Sequence, residues 1–181
     1  SRLQHIQPGD DLLVSRKPTG TLLISDLHPG RNLYLLATGT GLAPFLGVIK
    51  DPETYERFDK VILTHGVRNV ADLAYHDYIT RELPRHEYLG EVISQKLLYY
   101  PAVSREPFRH AGRLTTLMES GQMMRDLGIE PLDGEKDRAM ICGSPQMLAD
   151  FRTLLDGRGF TAAPRIGTPG QYVFERAFVE K

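Results

Sequence analysis

The stretch Asn32-Leu-Tyr-Leu-Leu-Ala-Thr-Gly-Thr-Gly-Leu-Ala-Pro-Phe45 decides the fold of this chain. Its apolar first half predicts a strand over residues 32–37 that is buried on both faces, as strands of parallel sheets are. Two glycines then indicate a tight turn, and Pro44 suits the first turn of a helix, where no backbone N–H is needed. The stretch therefore predicts a strand–turn–helix unit, the building block of an α/β fold.

The turn within this stretch has the composition of a phosphate-binding loop. Gly39 and Gly41 lack a Cβ atom, so a diphosphate can approach their backbone closely, and Thr38 and Thr40 add hydroxyl donors. Pro44 stands where the third glycine of the G-x-G-x-x-G pattern would be, so a plain glycine turn is the alternative. Because the turn joins a predicted strand to a predicted helix, we favour a dinucleotide-binding turn.

The alternation of strands and helices continues to the C-terminus. Further strands are predicted over residues 60–65, 138–142 and 171–178, and helices over residues 43–50, 71–83, 112–127 and 145–155. Residues 88–94 and 97–103 are ambiguous in type, and Gly121 is a candidate break in the third helix. This alternation predicts an α/β fold with a Rossmann-like parallel sheet flanked by helices.

Residues 1–30 follow a different pattern. Short strands are predicted over residues 12–15 and 21–25, with a turn signal between them. Two short strands cannot form a stable domain alone. We therefore expect this segment to be the tail of an antiparallel β domain whose earlier strands are missing from the sequence.

The composition argues against several partners and site types. The net charge of −1 provides no broad basic field, so neither nucleic acid nor an anionic membrane is an expected partner. Cys142 is the single cysteine, which excludes an intramolecular disulfide and fits a reducing compartment. The histidines lack the spacing of metal-binding motifs, so no metal site is expected.

Three arginines follow predicted strands. Arg68 comes after the second strand, where NAD-specific domains carry an acidic residue, and an arginine there suits a 2′-phosphate. Ser104 and Arg105 follow residues 97–103, and Arg113 opens a predicted helix. A guanidinium matches phosphate oxygens in a bidentate fork, so these side chains are candidates for one phosphate site. The alternative is three solvated surface arginines.

Two further segments are candidates for the reacting end of a dinucleotide. Gly143 and Ser144 form a predicted tight turn after the strand that ends at Cys142, and a cofactor ring could lie over this turn. The alternative is a small buried cysteine, a common environment for this residue. Glu175, in the last predicted strand, has an ordinary surface carboxylate as its alternative interpretation.

Together these segments resemble the bacterial ferredoxin (flavodoxin)–NADP reductases over essentially the whole chain. The resemblance is carried by Thr38-Gly-Thr-Gly-Leu-Ala-Pro-Phe45, Gly66-Val-Arg68 with Ala71-Asp-Leu-Ala-Tyr75, Ser104-Arg-Glu106, Gly112-Arg113, Cys142-Gly-Ser-Pro-Gln-Met147 and Glu175-Arg-Ala-Phe-Val-Glu-Lys181. It implies an enzyme that transfers electrons between NADP(H) and ferredoxin or flavodoxin through FAD, expected to be a cytoplasmic monomer. Residues 1–30 would be the end of an FAD-binding β-barrel, and residues 31–181 the NADP-binding domain.

The resemblance also implies roles for individual residues. The NADP diphosphate and nicotinamide would face Thr38, Gly39, Thr40 and Gly41. Gly143 and Ser144, in the turn over which a cofactor ring could lie, are also candidate cofactor-binding residues. The 2′-phosphate end would be held by Arg68, Ser104, Arg105 and Arg113. Hydride transfer would occur beside Cys142 and Glu175. The flavin ring would be covered by Ala177, and the adenine half of FAD would be approached by Phe178 and Lys181.

One departure from the family pattern affects the flavin. The R-x-Y-S flavin motif of the family does not occur in this sequence, so most of the FAD site is absent from it. Two other functions are therefore carried as alternatives: a related NAD(P)H-dependent flavin or oxygenase reductase, and, for the chain alone, an inactive NADP-binding module.

Overall fold

The computed structural model describes residues 5–16 and 20–176. Five strands form one parallel sheet: β1 (Asn32–Thr38), β2 (Lys60–Val67), β3 (Leu97–Val103), β4 (Arg138–Gly143) and β5 (Tyr172–Arg176). The α-helices of the described residues are α1 (Leu42–Val48), α2 (Pro52–Arg57), α3 (Gly90–Lys96), α4 (Leu114–Glu119), α5 (Gln122–Leu127) and α6 (Pro145–Asp156). The predicted Rossmann-like parallel sheet flanked by helices is confirmed.

The strand order is β3-β2-β1-β4-β5, with every neighbouring pair parallel. The chain first builds outward from β1 through β2 to β3, and then returns to the other side of β1 for β4 and β5. The order therefore reverses between β1 and β4. Open α/β sheets bind ligands at such a reversal, outside the carboxyl ends of the strands. We call this side of the sheet the carboxyl edge.

The core consists of two apolar layers, one on each face of the sheet. Successive residues of β1 point to opposite faces: Tyr34 and Leu36 pack with α4, α5 and α6, whereas Leu33 and Leu35 pack with α1, α2 and α3. All four of these side chains are fully buried. Burial on both faces explains why the strand appears in the sequence as an unbroken apolar run rather than an alternating one.

The structure corrects the predictions for residues 12–15 and 21–25. Neither segment is a strand: residues 11–15 and 20–23 have no regular structure, and Ile24–Asp26 forms a 3-10 turn. A strand requires a hydrogen-bonded neighbour, and of the described residues that precede β1 only Leu27 makes a bridge, to Gly170. The barrel remnant is therefore not confirmed, and the division into residues 1–30 and 31–181 stays a prediction.

The helix predicted over residues 71–83 is also wrong as a single element. The segment contains a 3-10 turn at Val70–Asp72, a π-helical turn at Tyr78–Glu82 and a second 3-10 turn at Leu83–Arg85. Between the first two, Tyr75 has a φ of 60°, a left-handed conformation that interrupts an α-helix. By contrast, the predicted break at Gly121 is confirmed, because this glycine has a φ of 71° between α4 and α5.

Candidate site at the carboxyl edge of the sheet

The glycine turn lies where β1 leaves the sheet. Residues Gly39–Gly41 form a 3-10 turn that leads directly into α1, and Gly39 has a φ of 52°, which a glycine adopts without steric cost. No heavy atom lies within 4 Å of where a Gly39 Cβ would be, so the backbone there faces open space. This backbone is accessible to a ligand, as the sequence predicted for a phosphate-binding turn.

Gly41 faces inward, toward the end of β4. A Cβ on Gly41 would lie 2.1 Å from the carbonyl oxygen of Cys142, a separation that no side chain tolerates. Likewise, a Cβ on Gly143 would lie 2.3 Å from Oγ1 of Thr38. The two glycines therefore allow the ends of β1 and β4 to meet, which brings the two predicted dinucleotide segments into one site.

Cys142 and Glu175 are neighbours in this site. They are register partners across β4 and β5, and the Cys142 side chain is buried. Burial, together with the nearby charge of Glu175, raises the pKa of the Cys142 thiol to about 11. The Glu175 carboxylate is half-buried and accepts a hydrogen bond of 3.4 Å from the Thr21 amide. At neutral pH the site thus presents a neutral thiol beside a carboxyl group.

Ser144 has a defined local role. Its hydroxyl accepts a hydrogen bond of 3.3 Å from the Met147 amide, which makes it the N-cap of α6, and Pro145 occupies the first helical position. The predicted turn into a helix at this point is therefore present. Contact of Ser144 with a cofactor stays a prediction.

Arg68 and Arg105 lie side by side beyond β2 and β3. The Arg105 amide donates to the carbonyl of Arg68 at 3.0 Å, and the Ser104 amide donates to the carbonyl of Val67 at 3.0 Å. Both arginine side chains are exposed, and neither takes part in an ion pair within residues 5–16 and 20–176. Two available guanidinium groups on adjacent loops form a suitable place for a phosphate.

Arg113 is brought to the same edge by the loop that follows β3. The Gly112 amide donates to the carbonyl of Val103 at 2.9 Å, and the Val103 amide donates to the carbonyl of His110 at 3.0 Å. These bonds return the chain to the end of β3, where Arg113 precedes the first residue of α4 with its side chain exposed. The three arginines therefore share one side of the carboxyl edge.

Sequence reasoning missed His65, a buried histidine near the end of β2. Its Nδ1 lies 3.4 Å from the Tyr99 hydroxyl, and its ring also interacts with the backbone of Gly39. Burial lowers the His65 pKa below its usual value, with a smaller lowering by the charge of His76. The sequence did contain one indication of it: a histidine at the end of the apolar run of residues 60–65, just before the carboxyl edge.

Three of the predicted site residues cannot be placed. Ala177, Phe178 and Lys181 lie outside the described residues. Within the described parts of the chain, no cluster of three histidine, cysteine or acidic side chains is arranged to hold a metal ion. No helix there is both long and apolar enough to cross a membrane.

The glycine turn, the Cys142–Glu175 pair and the arginines occupy one edge of a parallel sheet, which defines a dinucleotide-binding α/β domain. Residues 35–153 match the family model described as an oxidoreductase NAD-binding domain. The chain is 61% identical over 181 residues to the ferredoxin–NADP reductase of Pseudomonas aeruginosa, covering all of this chain and 70% of that protein. It is 60% identical to the ferredoxin–NADP reductase of Azotobacter vinelandii, with the same coverage.

A solved structure supports the same assignment. A ferredoxin NADP+ reductase from Neisseria gonorrhoeae with bound FAD and NADP superimposes with a TM-score of 0.73 at 34% identity, over 88% of this chain and 61% of that one. This chain belongs to the ferredoxin–NADP reductase family. The predicted family, a class of oxidoreductase enzymes that use FAD and NADP, is thereby confirmed.

Proposed function

We propose that the chain serves as the NADP-binding part of a reductase that transfers electrons between NADP(H) and ferredoxin or flavodoxin through FAD. One observation carries the proposal: the glycine turn and the Cys142–Glu175 pair lie at the carboxyl edge beside the point where the strand order reverses, and the exposed arginines lie along the same edge, beyond β2 and β3. The names of the relatives from Pseudomonas and Azotobacter agree with it.

The residues present fit a dinucleotide phosphate. The diphosphate would approach the open backbone at Gly39, with hydroxyl donors from Thr38 and Thr40. The 2′-phosphate would lie between Arg68 and Arg105, with Ser104 and Arg113 on the same side of the edge. Charge-assisted hydrogen bonds from guanidinium groups are about twice as strong as neutral ones, so this end would favour NADP over NAD.

Cys142 and Glu175 would form the wall at the reacting end. In this family the bound NADP and FAD supply hydride transfer between nicotinamide and flavin and single-electron exchange with the protein partner. The neutral Cys142 thiol would pack against the nicotinamide and exclude water from it, rather than act as a thiolate nucleophile. The Glu175 carboxyl would set the local charge and hold or release a proton at its oxygen atoms.

The proposal also covers the residues that contact FAD, the oligomeric state and the cellular location. Ala177, Phe178 and Lys181 would contact FAD, and the greater part of the FAD site would lie in the N-terminal segment of the longer relatives. We also propose that the protein is a monomer and that it lies in the cytoplasm; the single cysteine fits the reducing compartment that this location requires.

Electron-acceptor assays on the full-length protein test the proposal. In three separate assays, NADPH is the electron donor and ferredoxin, flavodoxin or free flavin is the acceptor. Each assay measures the rate at which the reduced acceptor forms. We expect faster turnover with ferredoxin or flavodoxin than with free flavin. Turnover with free flavin alone would contradict it and favour the related flavin reductases. A colourless full-length protein that binds NADP would instead indicate an inactive binding module.

A further inference from the structure

We propose that Glu106 is a positioning residue for NADP selectivity, because its carboxylate fastens together the two loops that carry Arg68 and Arg105. The inference rests on the proposed function, since it concerns the same 2′-phosphate site. It assigns Glu106 no contact with the ligand. Its role is to hold the two guanidinium groups at the spacing that a phosphate needs.

The two loops continue the pairing of β2 and β3 past the end of the sheet. Val67 and Val103 are the last register partners, and the Ser104 and Arg105 amides then donate to the carbonyls of Val67 and Arg68, both at 3.0 Å. Beyond Arg105 the backbone pairing stops. The next connection is made by a side chain: the Glu106 carboxylate accepts a hydrogen bond from the Val70 amide.

The Val70 amide is a well-defined point of attachment. It belongs to the first residue of the 3-10 turn that follows Arg68, and this turn is closed by its own side chains. The Asp72 carboxylate accepts from the Asn69 amide at 3.0 Å and from Asn69 Nδ2 at 3.1 Å. The Asp72 carboxylate therefore bonds within its own loop, whereas the Glu106 carboxylate connects the two loops.

The Glu106 carboxylate has two opposing effects on phosphate binding. A carboxylate beside a phosphate site repels the phosphate, so on electrostatic grounds alone its removal would strengthen phosphate binding. Without a bound anion, however, the positive charges of Arg68 and Arg105, which lie on adjacent loops, repel each other, and this repulsion tends to separate the loops. A hydrogen bond between the loops opposes that separation. The electrostatic and positioning effects therefore predict opposite outcomes when Glu106 is replaced.

The test measures the binding of adenosine 2′,5′-bisphosphate and of adenosine 5′-monophosphate to the full-length protein by calorimetry. We expect Glu106→Ala to weaken bisphosphate binding by about three- to tenfold, the scale of one lost hydrogen bond, with a change of less than about twofold for the monophosphate. Glu106→Gln keeps an acceptor oxygen without the charge, and its bisphosphate affinity should stay within about twofold of wild type. Glu56→Ala, which removes an exposed carboxylate on α2, is the matched control and should change neither affinity.

Two results would overturn the inference. One is unchanged or tighter bisphosphate binding by Glu106→Ala, since the electrostatic effect would then dominate. The other is an equal loss in Glu106→Ala and Glu106→Gln, since the acceptor oxygen would then not matter. Arg105→Ala separates this inference from the proposed function: if it loses bisphosphate affinity while Glu106→Ala does not, only the Glu106 role fails. If neither variant loses affinity, the proposed 2′-phosphate site itself fails.

Discussion

At the residue scale, Gly41 has no room for a side chain, because the end of β4 occupies the space where its Cβ would be. An added Cβ would meet the Cys142 carbonyl oxygen at 2.1 Å and its carbon at 2.5 Å. Backbone atoms cannot move aside as the end of a flexible side chain can. The contact between the ends of β1 and β4 therefore requires glycine at this position.

We expect Gly41→Ala to lower the free energy of unfolding by about 2–3 kcal/mol and to weaken NADP binding, because strands β1 and β4 must separate. Gly47→Ala is the matched control: this glycine lies in α1, is exposed, and has no heavy atom within 4 Å of its Cβ position. It should stabilise the protein by about 0.5–1 kcal/mol. Urea unfolding measures both, and equal effects of the two substitutions would contradict the close contact.

His65 gives the protein a predicted pH dependence. Its pKa in the folded state lies below its ordinary value of about 6.5, mainly because of burial, with a smaller effect from His76. The unfolded chain therefore takes up a proton more readily than the folded one. The contribution of His65 to stability is complete above about pH 6.5 and is lost as the pH falls from there toward the folded-state pKa.

The variant His65→Asn should accordingly lose less stability than the wild type when the pH is lowered from 7.5 to 5.5. The measurement is the melting temperature of both proteins across that range. The exposed residue His28 supplies the control, since His28→Asn should leave the pH dependence of the wild type unchanged. If His65→Asn shows the same pH dependence as the wild type, the buried His65 imidazole is not the cause of the stability lost at low pH.

The residues of the candidate site were predictable to different degrees. The glycine turn and the arginines were predicted because their residue types at strand ends imply a chemistry without knowledge of their neighbours. Glu106 and His65 were not, because their partners lie 36 and 34 residues away, at Val70 and Tyr99. Only the pairing of β2 with β3 brings those partners together.

At the scale of elements, α6 depends on its cap. Ser144 accepts from the Met147 amide, and α6 is twelve residues long with five buried side chains that pack against the sheet. Ser144→Ala should cost about 1 kcal/mol of unfolding free energy, and Ser144→Asp should restore most of it, since aspartate is also a good N-cap. Urea unfolding without ligand checks this. Equal stability of Ser144→Ala and the wild type would show that the cap contributes nothing.

Elements with a strong local signal in the sequence were predicted correctly, and elements with a weak local signal were not. Gly121 breaks the helix of residues 112–127 where a glycine can adopt positive φ, a property of the residue itself. Tyr75 adopts the same region with no such signal, so the predicted helix over residues 71–83 was wrong. The strands predicted over residues 12–15 and 21–25 failed because no paired strand accompanies them in the described residues.

At the scale of the whole molecule, the strand order is what turns scattered motifs into a site. The glycine turn follows β1, Cys142 lies near the end of β4 beside Glu175 on β5, and Arg68 and Arg105 follow β2 and β3. Because all five strands are parallel, every one of these residues reaches the same edge. The phosphate end and the reacting end then lie on opposite sides of the glycine turn, as an extended dinucleotide requires.

The central claim is that this edge binds NADP through its 2′-phosphate. The most direct measurement is the affinity of the full-length protein for NADPH and for NADH, in the wild type and in Arg105→Ala. Arg81→Ala is the control, because the Arg81 side chain is 72% exposed and pairs with Asp77 instead. We predict that Arg105→Ala weakens NADPH binding by about 10- to 100-fold and changes NADH binding by less than about threefold. Equal losses for NADPH and NADH would contradict the claim.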